Sequence, residues 1–382
     1  QPGLAQPADF EIWTQRLASA ALEPGEVAFA VAGARAAAGP IFGTAQVRKL
    51  VEALLAGQPA QAQSHLPALV AEGGPELVLV LAADSRAPAR AASAAGLAGL
   101  EHPDALETLR RLTLDRDEAV AAAALHAIGA RRATLLRGAV RTRCMAEQEP
   151  SALVRAAALR ALGALGLPPD GTLEEPGSLA LFLRAFGDAD PRIEEAAADG
   201  LAAYGDPAAA PVLMSLLSRP EGSALELAGR TGLARLGVAA WDDLLRISKS
   251  STHPLRRSAL LILARQGCAQ ACRYLLEYYT DHASDSEIAF ELCVLTCHDL
   301  RAAPDPVQAW WDWWDAAPRD DGRAWWIAGA ARAGFAAPPE GALDAPVGAA
   351  GRAWIEQQLE RGPEHLAERA RRALALYGLD TP

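Results

Sequence analysis

The sequence predicts an all-α protein built as an α-solenoid, a superhelix of stacked helical hairpins. A segment of about thirty residues repeats along the middle of the chain, and a period of that size is typical of stacked helix pairs. The two clearest copies are residues 117–129 and 151–163, each an acidic or small residue followed by an Ala/Leu-rich stretch that runs to a glycine. Alanine has the highest helix propensity, so such stretches favour helices. One hairpin cannot bury its own apolar face, and neighbouring hairpins must therefore stack.

The composition supports a folded chain and argues against several classes of partner. Of the 382 residues, 51% are hydrophobic, which is enough for a packed core. The formal net charge is −11 and the isoelectric point is about 5.2, so binding to nucleic acid is not expected. No uninterrupted apolar run is long enough to span a bilayer, and no basic segment precedes an apolar stretch at the beginning. We therefore expect a cytoplasmic protein, with an exported location left open.

Residues 1–83 are predicted to form a helical cap at the N-terminal end of the repeats. A first helix begins after Pro7, and two more are expected over 26–38 and 44–56, separated by the Gly39-Pro40 break. None of the three fits the repeat. The end of a solenoid has one face without a neighbouring hairpin, so an atypical sequence is expected there.

The repeats proper are predicted over residues 84–299. Their first helices are expected to begin near Asp84, Asp117, Pro150, Asp188, Gly222, Thr252 and Ser284. The glycines expected to end several of these helices in the left-handed conformation are Gly129, Gly163 or Gly166, Gly205, Gly237 and Gly267. The interval over 166–188 is longer than the others, and we expect an inserted loop there before a second helix over 177–186.

Two of the copies resemble a known repeat family. Residues 153–163, Leu-Val-Arg-Ala-Ala-Ala-Leu-Arg-Ala-Leu-Gly, form a near-ideal first helix, and Asp190-Pro191-Arg192-Ile193 leads through Gly205-Asp206-Pro207 into Pro211-Val212-Leu213. This pattern is similar to HEAT-like repeats of the phycobilisome-lyase type. The resemblance implies the solenoid fold. Its members include lyases, a class of DNA glycosylases, a hydroxylase and many adaptors, so it implies no single activity.

Residues 300–382 are predicted to form a Trp-rich helical cap at the C-terminal end. Six of the nine tryptophans lie between residues 310 and 326. A link over 334–350 rich in proline, glycine and alanine separates this part from a last helical segment, which continues in repeat-like form over 363–377. The helix with paired tryptophans resembles the end of some bacterial HEAT-like proteins.

The tryptophans allow two interpretations. On a helix, Trp310, Trp313 and Trp314 share one face and could fill the end of the core. Trp311 points elsewhere, and with Trp325 or Trp326 it could form an exposed anchor for a partner, because tryptophan is enriched at binding hot spots.

Four cysteines also leave alternatives open. Cys268 and Cys272 are four residues apart, as are Cys293 and Cys297, and we expect each pair on one side of a helix. The thiols could be buried small apolar groups, form disulfides in an exported protein, or bind zinc as four thiolates. The usual zinc-ribbon spacing is missing.

Arginines supply nearly all of the positive charge, since Lys49 and Lys249 are the two lysines in the chain. Several arginines fall on predicted second helices, which in a solenoid line one side, and there they could form a basic strip for an acidic or extended protein segment. The alternative is ordinary solvated arginine paired with nearby carboxylates. The candidates for the strip are Arg110, Arg137, Arg141, Arg184, Arg246 and Arg273.

The chain shows no recognisable catalytic motif. HEAT-repeat deoxyhypusine hydroxylases carry His-Glu pairs for a di-iron centre, and none of the seven histidines here is followed by glutamate. Gly-x-Ser-x-Gly and phosphate-binding loops are also missing. We therefore predict a non-enzymatic interaction scaffold or adaptor without a cofactor. The alternative is a lyase- or chaperone-like factor that acts on a bound chromophore or a modified protein.

Overall fold

The computed structural model describes residues 7–18, 24–38, 45–46, 49–50, 52–53, 78–145, 147, 149–168, 177–319, 321–344 and 346–376. All regular structure in these residues is helical. The chain forms two compact units, residues 1–209 and 210–382, and each is described by itself. The prediction of an all-α solenoid of stacked hairpins is confirmed, while the predicted boundaries at residues 84 and 300 stay predictions.

Within residues 1–209, the first helix of each hairpin packs against the first helix of the next. The helices are α1 (Pro7–Leu17), α2 (Pro24–Ala38), α3 (Ala87–Gly96), α4 (Ala105–Leu112), α5 (Glu118–Arg131), α6 (Arg137–Cys144), α7 (Ala152–Leu165), α8 (Ser178–Ala185) and α9 (Pro191–Tyr204). Helices α3, α5, α7 and α9 stack in chain order, and the second helices α4, α6 and α8 each pack on the first helix that follows. Helices α1 and α2 form a separate pair.

Within residues 210–382, the same alternation continues. The helices are α10 (Ala210–Leu216), α11 (Ala224–Leu236), α12 (Trp241–Lys249), α13 (Arg256–Arg265), α14 (Cys272–Asp281), α15 (Ser286–Thr296), α16 (Pro306–Ala316), α17 (Gly322–Arg332), α18 (Ala349–Arg361) and α19 (Glu364–Leu376). First helices α11, α13, α15 and α17 stack in order, second helix α14 packs against α16, and the final pair α18–α19 packs on this stack through α15.

The predicted starts of the seven first helices are confirmed to within one to four residues. Polar side chains fix several of these starts by accepting hydrogen bonds from the free N–H groups of the first turn. Asp117 accepts from the backbone of Ala119, and Asp285 accepts from that of Ile288. The predicted loop before α8 falls on 166–177, of which residues 169–176 lie outside the described part, as does most of the helix predicted over 44–56.

Buried ion pairs join consecutive hairpins. Arg90 Nε on α3 lies 2.7 Å from an Asp115 carboxylate oxygen, just before α5, and Arg155 on α7 lies 2.9 Å from Asp188, just before α9. The Arg90 guanidinium holds the pKa of Asp115 below its usual range. Both arginines stand four residues after an N-cap, so the same contact recurs from one repeat to another.

The glycine prediction is partly wrong. Gly166, Gly205, Gly237 and Gly267 have positive φ and follow helix ends, as expected. Of the alternatives Gly163 and Gly166, Gly166 ends α7 and Gly163 lies inside it, whereas Gly129 was predicted wrongly because it lies inside α5. The left-handed residue that ends α5 is Arg132, with φ of 52°.

The glycines inside the helices have another role, which is to let helices approach closely. A Cβ atom on Gly163 would lie 2.3 Å from the Gly200 carbonyl oxygen, and one on Gly200 would lie 2.6 Å from the Leu159 carbonyl oxygen. Helices α7 and α9 therefore touch at the level of their backbones, which only glycine permits at these two positions.

None of the helices in the described part of the chain combines the length and the apolar content needed to cross a membrane.

Candidate partner-binding surface

Helix α16 carries four tryptophans, and two of them are fully packed. Trp310 is 0% exposed and Trp314 is 6% exposed, while Trp313 is half-buried. The rings meet edge to face, with centroids 5.7 Å apart for Trp310 and Trp313 and 5.4 Å apart for Trp313 and Trp325. The burial agrees with the interpretation in which these side chains fill the core.

The expectation that Trp325 or Trp326 is exposed is wrong. Their residues are 2% and 4% exposed, because α17 packs both rings inward. Trp325 Nε1 donates to the Pro318 carbonyl oxygen at 2.7 Å, and Trp326 Nε1 donates to Gln358 Oε1 on α18 at 2.7 Å. With each indole N–H satisfied inside the protein, these side chains hold α17 in place and do not present an anchor.

Trp311 of α16 borders an open surface. It is half-buried, and its Nε1 donates to Thr280 Oγ1 on α14 at 2.9 Å. The hydrogen bond fixes the orientation of the ring while leaving part of its face uncovered. Of the tryptophans proposed as an anchor, Trp311 alone keeps accessible ring surface.

Trp311 lines a cleft of about 630 Å³ between the second helices α12, α14 and α16. Volumes of this order are typical of ligand-binding clefts, about 300–1,000 Å³. The apolar floor and walls are Leu245, Tyr274, Trp311 and Trp314. The polar rim is Lys249, Gln270, Arg273, Asp315 and Arg319.

Two of the three cations on the rim already have a carboxylate partner one helical turn away. Arg273 Nε lies 3.1 Å from Glu277, and Arg319 lies 3.3 Å from Asp315. Arg319 also stacks over the Trp314 ring, 4.5 Å from its centroid. These contacts hold both guanidinium groups at the mouth of the cleft.

Lys249 differs from the other two cations. It is exposed at the end of α12, lines the cleft, and forms no ion pair with any carboxylate in the described part of the chain. With three cations against one acidic side chain on its rim, the cleft is locally basic, although the whole chain carries −11.

The predicted basic strip is not supported as a set of uncommitted arginines. Arg110 lies 2.6 Å from Glu107, and Arg246 pairs with Asp243 on the same helix. Both pairs are at the surface, in agreement with the alternative of solvated arginine paired locally. Arg184 is exposed beside a small cavity of about 90 Å³ in residues 1–209.

The expectation that Arg137 lies on that strip is wrong, because Arg137 is 6% exposed and its Nη2 donates to the Leu165 carbonyl oxygen at 3.1 Å. Arg141, one turn along α6, is half-buried. A guanidinium held against the end of a neighbouring helix is not available to a partner.

Arg137 belongs to a set of arginines that donate to backbone carbonyls at or near the ends of helices in other hairpins. These carbonyls have no intrahelical donor and carry the negative end of the helix dipole, so a cation stabilises them. The arginine–carbonyl contacts are Arg131 with Leu97, Arg137 with Leu165, Arg143 with Thr113, Arg256 with Ser248, and Arg332 with Cys297. Three of the arginines between residues 131 and 143, Arg131, Arg137 and Arg143, therefore serve packing between hairpins.

The four cysteines do not form a metal site. Cys268 precedes the 3₁₀ turn Ala269–Ala271 and Cys272 begins α14, so this pair does not share a helix. Cys293 lies in α15, and Cys297 follows it with φ of 56°. None of the five cysteines forms a disulfide, and no three His, Cys, Asp or Glu side chains among the described residues are placed to hold a metal. The four-thiolate hypothesis is therefore wrong.

The chemistry of Cys293 also argues against a nucleophile. Its Sγ donates to the Ala289 carbonyl oxygen at 3.2 Å and lies 3.4 Å from Asp299 Oδ1. Burial, with the Asp299 charge, raises the pKa of Cys293 to about 12. The thiolate is the reactive form, so this thiol is inert at neutral pH.

The partly buried imidazole of His298, next to Asp299, is expected to make the stability of the protein depend on pH. Its Nδ1 is buried without a hydrogen-bond partner, and burial together with the Arg332 charge lowers the pKa of His298 to about 4. Between pH 6.5 and about 4 the unfolded chain binds a proton that the folded chain does not, so stability falls as pH falls through that window. Because the ring is half-exposed, we expect a loss of only about 1 kcal/mol.

The measurement is urea unfolding followed by tryptophan fluorescence at about pH 7.5 and about pH 5. His298→Gln serves as the control and should make the two free energies of unfolding more nearly equal. An unchanged pH dependence in that variant would assign the effect to other groups, among them His365, whose pKa burial also lowers.

Sequence reasoning missed Lys249, Gln270, Tyr274 and Arg319 as residues of the cleft. The signal that could have found some of them is the i, i+4 spacing on α12 and α16, which sets Leu245 with Lys249 and Trp311 with Asp315. Gln270 lies in the 3₁₀ turn before α14, outside that pattern. Of the predicted candidates, the structure brings together Trp311 and Arg273 in this cleft.

Comparison with protein-family models agrees with the repeat architecture. The family model described as HEAT repeats matches residues 143–234, about a quarter of the chain, so this part of the chain is similar to HEAT repeats. A crystal structure of an engineered protein is similar at 19% identity over 97% of this chain and 99% of that one, with a TM-score of 0.40. No curated protein matches the chain.

Proposed function

We propose that the protein is a non-enzymatic scaffold that binds a protein partner through the cleft between α12, α14 and α16. The observation that carries this proposal is Trp311, an indole oriented by its hydrogen bond to Thr280 and partly uncovered inside an open cleft. Tryptophan is among the residues most enriched at binding hot spots, particularly where the ring lies in a pocket with a polar rim.

The repeat architecture also supports this function. Stacked hairpins give a rigid surface built from successive second helices, and extended protein segments are the usual ligands of such surfaces. Cys293, the side chain that most resembles a catalytic nucleophile, is held in its unreactive thiol form by burial and by the Asp299 charge.

The test is quantitative affinity capture with the full chain and with Trp311→Ala. We expect the wild-type chain to enrich one or more proteins. The variant should enrich the same proteins at least about tenfold less, as expected when a hot-spot residue is removed. The melting temperature should change little, because the Trp311 ring is half-buried and lies at the edge of the core.

Leu135→Ala is the matched control, since Leu135 is 84% exposed and lies in residues 1–209, away from the cleft residues in sequence and unit. Its capture profile should equal that of the wild type. Equal capture by wild type and Trp311→Ala would contradict the proposal. A visible chromophore that copurifies in stoichiometric amount would favour the chromophore-binding alternative instead.

A further inference from the structure

We infer that the cleft binds a short acidic segment of the partner protein, with one carboxylate of that segment paired to Lys249. This inference rests on the proposed function and specifies the chemistry of the ligand. It depends on the charge of the rim, on the apolar residues that line the cleft, and on the absence of an ion-pair partner for Lys249 among the described residues.

The charge of the rim selects a negative ligand. Three cationic side chains and one carboxylate border the cleft, in a chain whose net charge is −11. A cleft of opposite sign to the rest of the protein attracts an acidic ligand to that place and repels it elsewhere.

Whether each cation already has a carboxylate partner narrows the class of ligand further. Arg273 and Arg319 are each paired with a carboxylate of the same chain, Glu277 at 3.1 Å and Asp315 at 3.3 Å, so each of these two charges already has a partner at the surface. Lys249 has no such partner among the described residues. One unbalanced ammonium matches one carboxylate, whereas a phosphate dianion or a nucleic-acid backbone needs several uncompensated cations.

The floor of the cleft explains why the ligand should be a peptide segment with apolar side chains. Leu245 is 8% exposed, and Tyr274 and Trp311, which also line the cleft, are half-buried. An acidic segment with an adjacent leucine or phenylalanine would cover these rings while its carboxylate reaches the rim. Gln270, exposed on the same rim, can bond the backbone of such a segment through its amide.

The first experiment measures binding of a fluorescein-labelled peptide in which glutamate and leucine alternate, by fluorescence anisotropy. We expect Lys249→Gln to weaken binding about tenfold, because a charge-assisted hydrogen bond is lost. Arg246→Gln is the matched control, since it removes one positive charge from the same helix at a residue that does not line the cleft. It should change the affinity much less.

The second experiment uses the scarcity of lysine. Acetylation with an amine-reactive reagent, read by mass spectrometry, should show that the peptide protects Lys249, whereas Lys49, exposed in residues 1–209, serves as an internal reference and stays equally reactive. The matched peptide with glutamine in place of glutamate should neither bind comparably nor protect Lys249.

Three results would overturn the inference: equal weakening by Lys249→Gln and Arg246→Gln, equal binding of the glutamine peptide, or stronger protection of Lys249 by a phosphorylated peptide. None of these results would by itself contradict the proposed function. If only the nature of the ligand were wrong, capture of the partner would still depend on Trp311. Loss of the Trp311 dependence would instead contradict the scaffold proposal itself.

Discussion

Glu291→Gln is expected to lower the free energy of unfolding of residues 210–382 by about 2–3 kcal/mol, because it removes the charge at the centre of a buried ion-pair network. Glu291 is 2% exposed, and its carboxylate lies 2.9 Å from Arg265 Nε and 2.6 Å from Arg372 Nη1. The two arginines come from α13 and α19, so one carboxylate on α15 joins three helices.

Both arginines keep a second carboxylate after the substitution, which limits the loss. Arg265 remains beside Glu287, and Arg372 remains 2.8 Å from Glu368. The cost therefore arises mainly from weakened hydrogen bonds to a buried neutral amide, and it stays below the 3–5 kcal/mol or so that a fully unpaired buried charge would cost.

The measurement is urea unfolding followed by tryptophan fluorescence, which reports mainly on this unit because eight of the nine tryptophans lie after residue 210. Glu356→Gln is the matched control. Its partner Arg352 is one turn away on α18, and both side chains are more than a third exposed, Arg352 at 38% and Glu356 at 35%. We expect a change of at most about 0.5 kcal/mol there. Equal effects of the two substitutions would show that the buried network stabilises no more than a surface pair.

Gly200→Ala is expected to destabilise residues 1–209 by about 3 kcal/mol, at the upper end of the cost of overpacking. The added methyl group would lie 2.5 Å from the Phe182 ring and 2.6 Å from the Leu159 carbonyl oxygen. The ring can turn, but the carbonyl belongs to α7 and can move only if the whole helix moves away from α9.

The sign of the effect separates this explanation from helix propensity. Alanine stabilises the interior of a helix by about 0.5–1 kcal/mol relative to glycine, so a site without steric conflict should gain stability. Gly138 on α6 is such a site, because nothing lies within 4 Å of the position of its added Cβ. Circular dichroism at the helical minimum should show Gly200→Ala lowering and Gly138→Ala raising the unfolding midpoint; changes of the same sign in both would contradict the contact between α7 and α9.

The fold was predictable from the sequence because the same local signals for a helix occur in each repeat. Each first helix has its own start signal and its own Ala/Leu face, and stacking is the way such faces can all be buried. The starts near Asp117, Pro150 and Ser284 are therefore close to the observed helices α5, α7 and α15.

The candidate surface was less predictable, because the accessibility of a side chain depends on its neighbours in space. Helical spacing correctly separated Trp311 from Trp310 and Trp314. The burial of Trp326 depends on Gln358, a residue 32 positions later that accepts its indole N–H. No local pattern encodes such a contact.

The cysteine and arginine predictions were wrong for related reasons. The spacing of Cys268 and Cys272 implies a shared face only if both lie in one helix. Gly267, with φ of 76°, interrupts the helical backbone between α13 and these cysteines. Arg137 has the residue type and the helix position expected of a surface group, yet it lies against the end of α7, where the Leu165 carbonyl oxygen accepts from it.

The arginine–carbonyl contacts have a consequence for how the joints between hairpins respond to chemical change. Each of these contacts joins a guanidinium to a backbone carbonyl oxygen, so none of the five contains a carboxylate, a lysine amine or a thiol. They are also indifferent to acylating reagents, which attack lysine amines. Acid sensitivity is thereby left to carboxylates and to histidines such as His298, and labelling of the two lysines can proceed without loosening the stack.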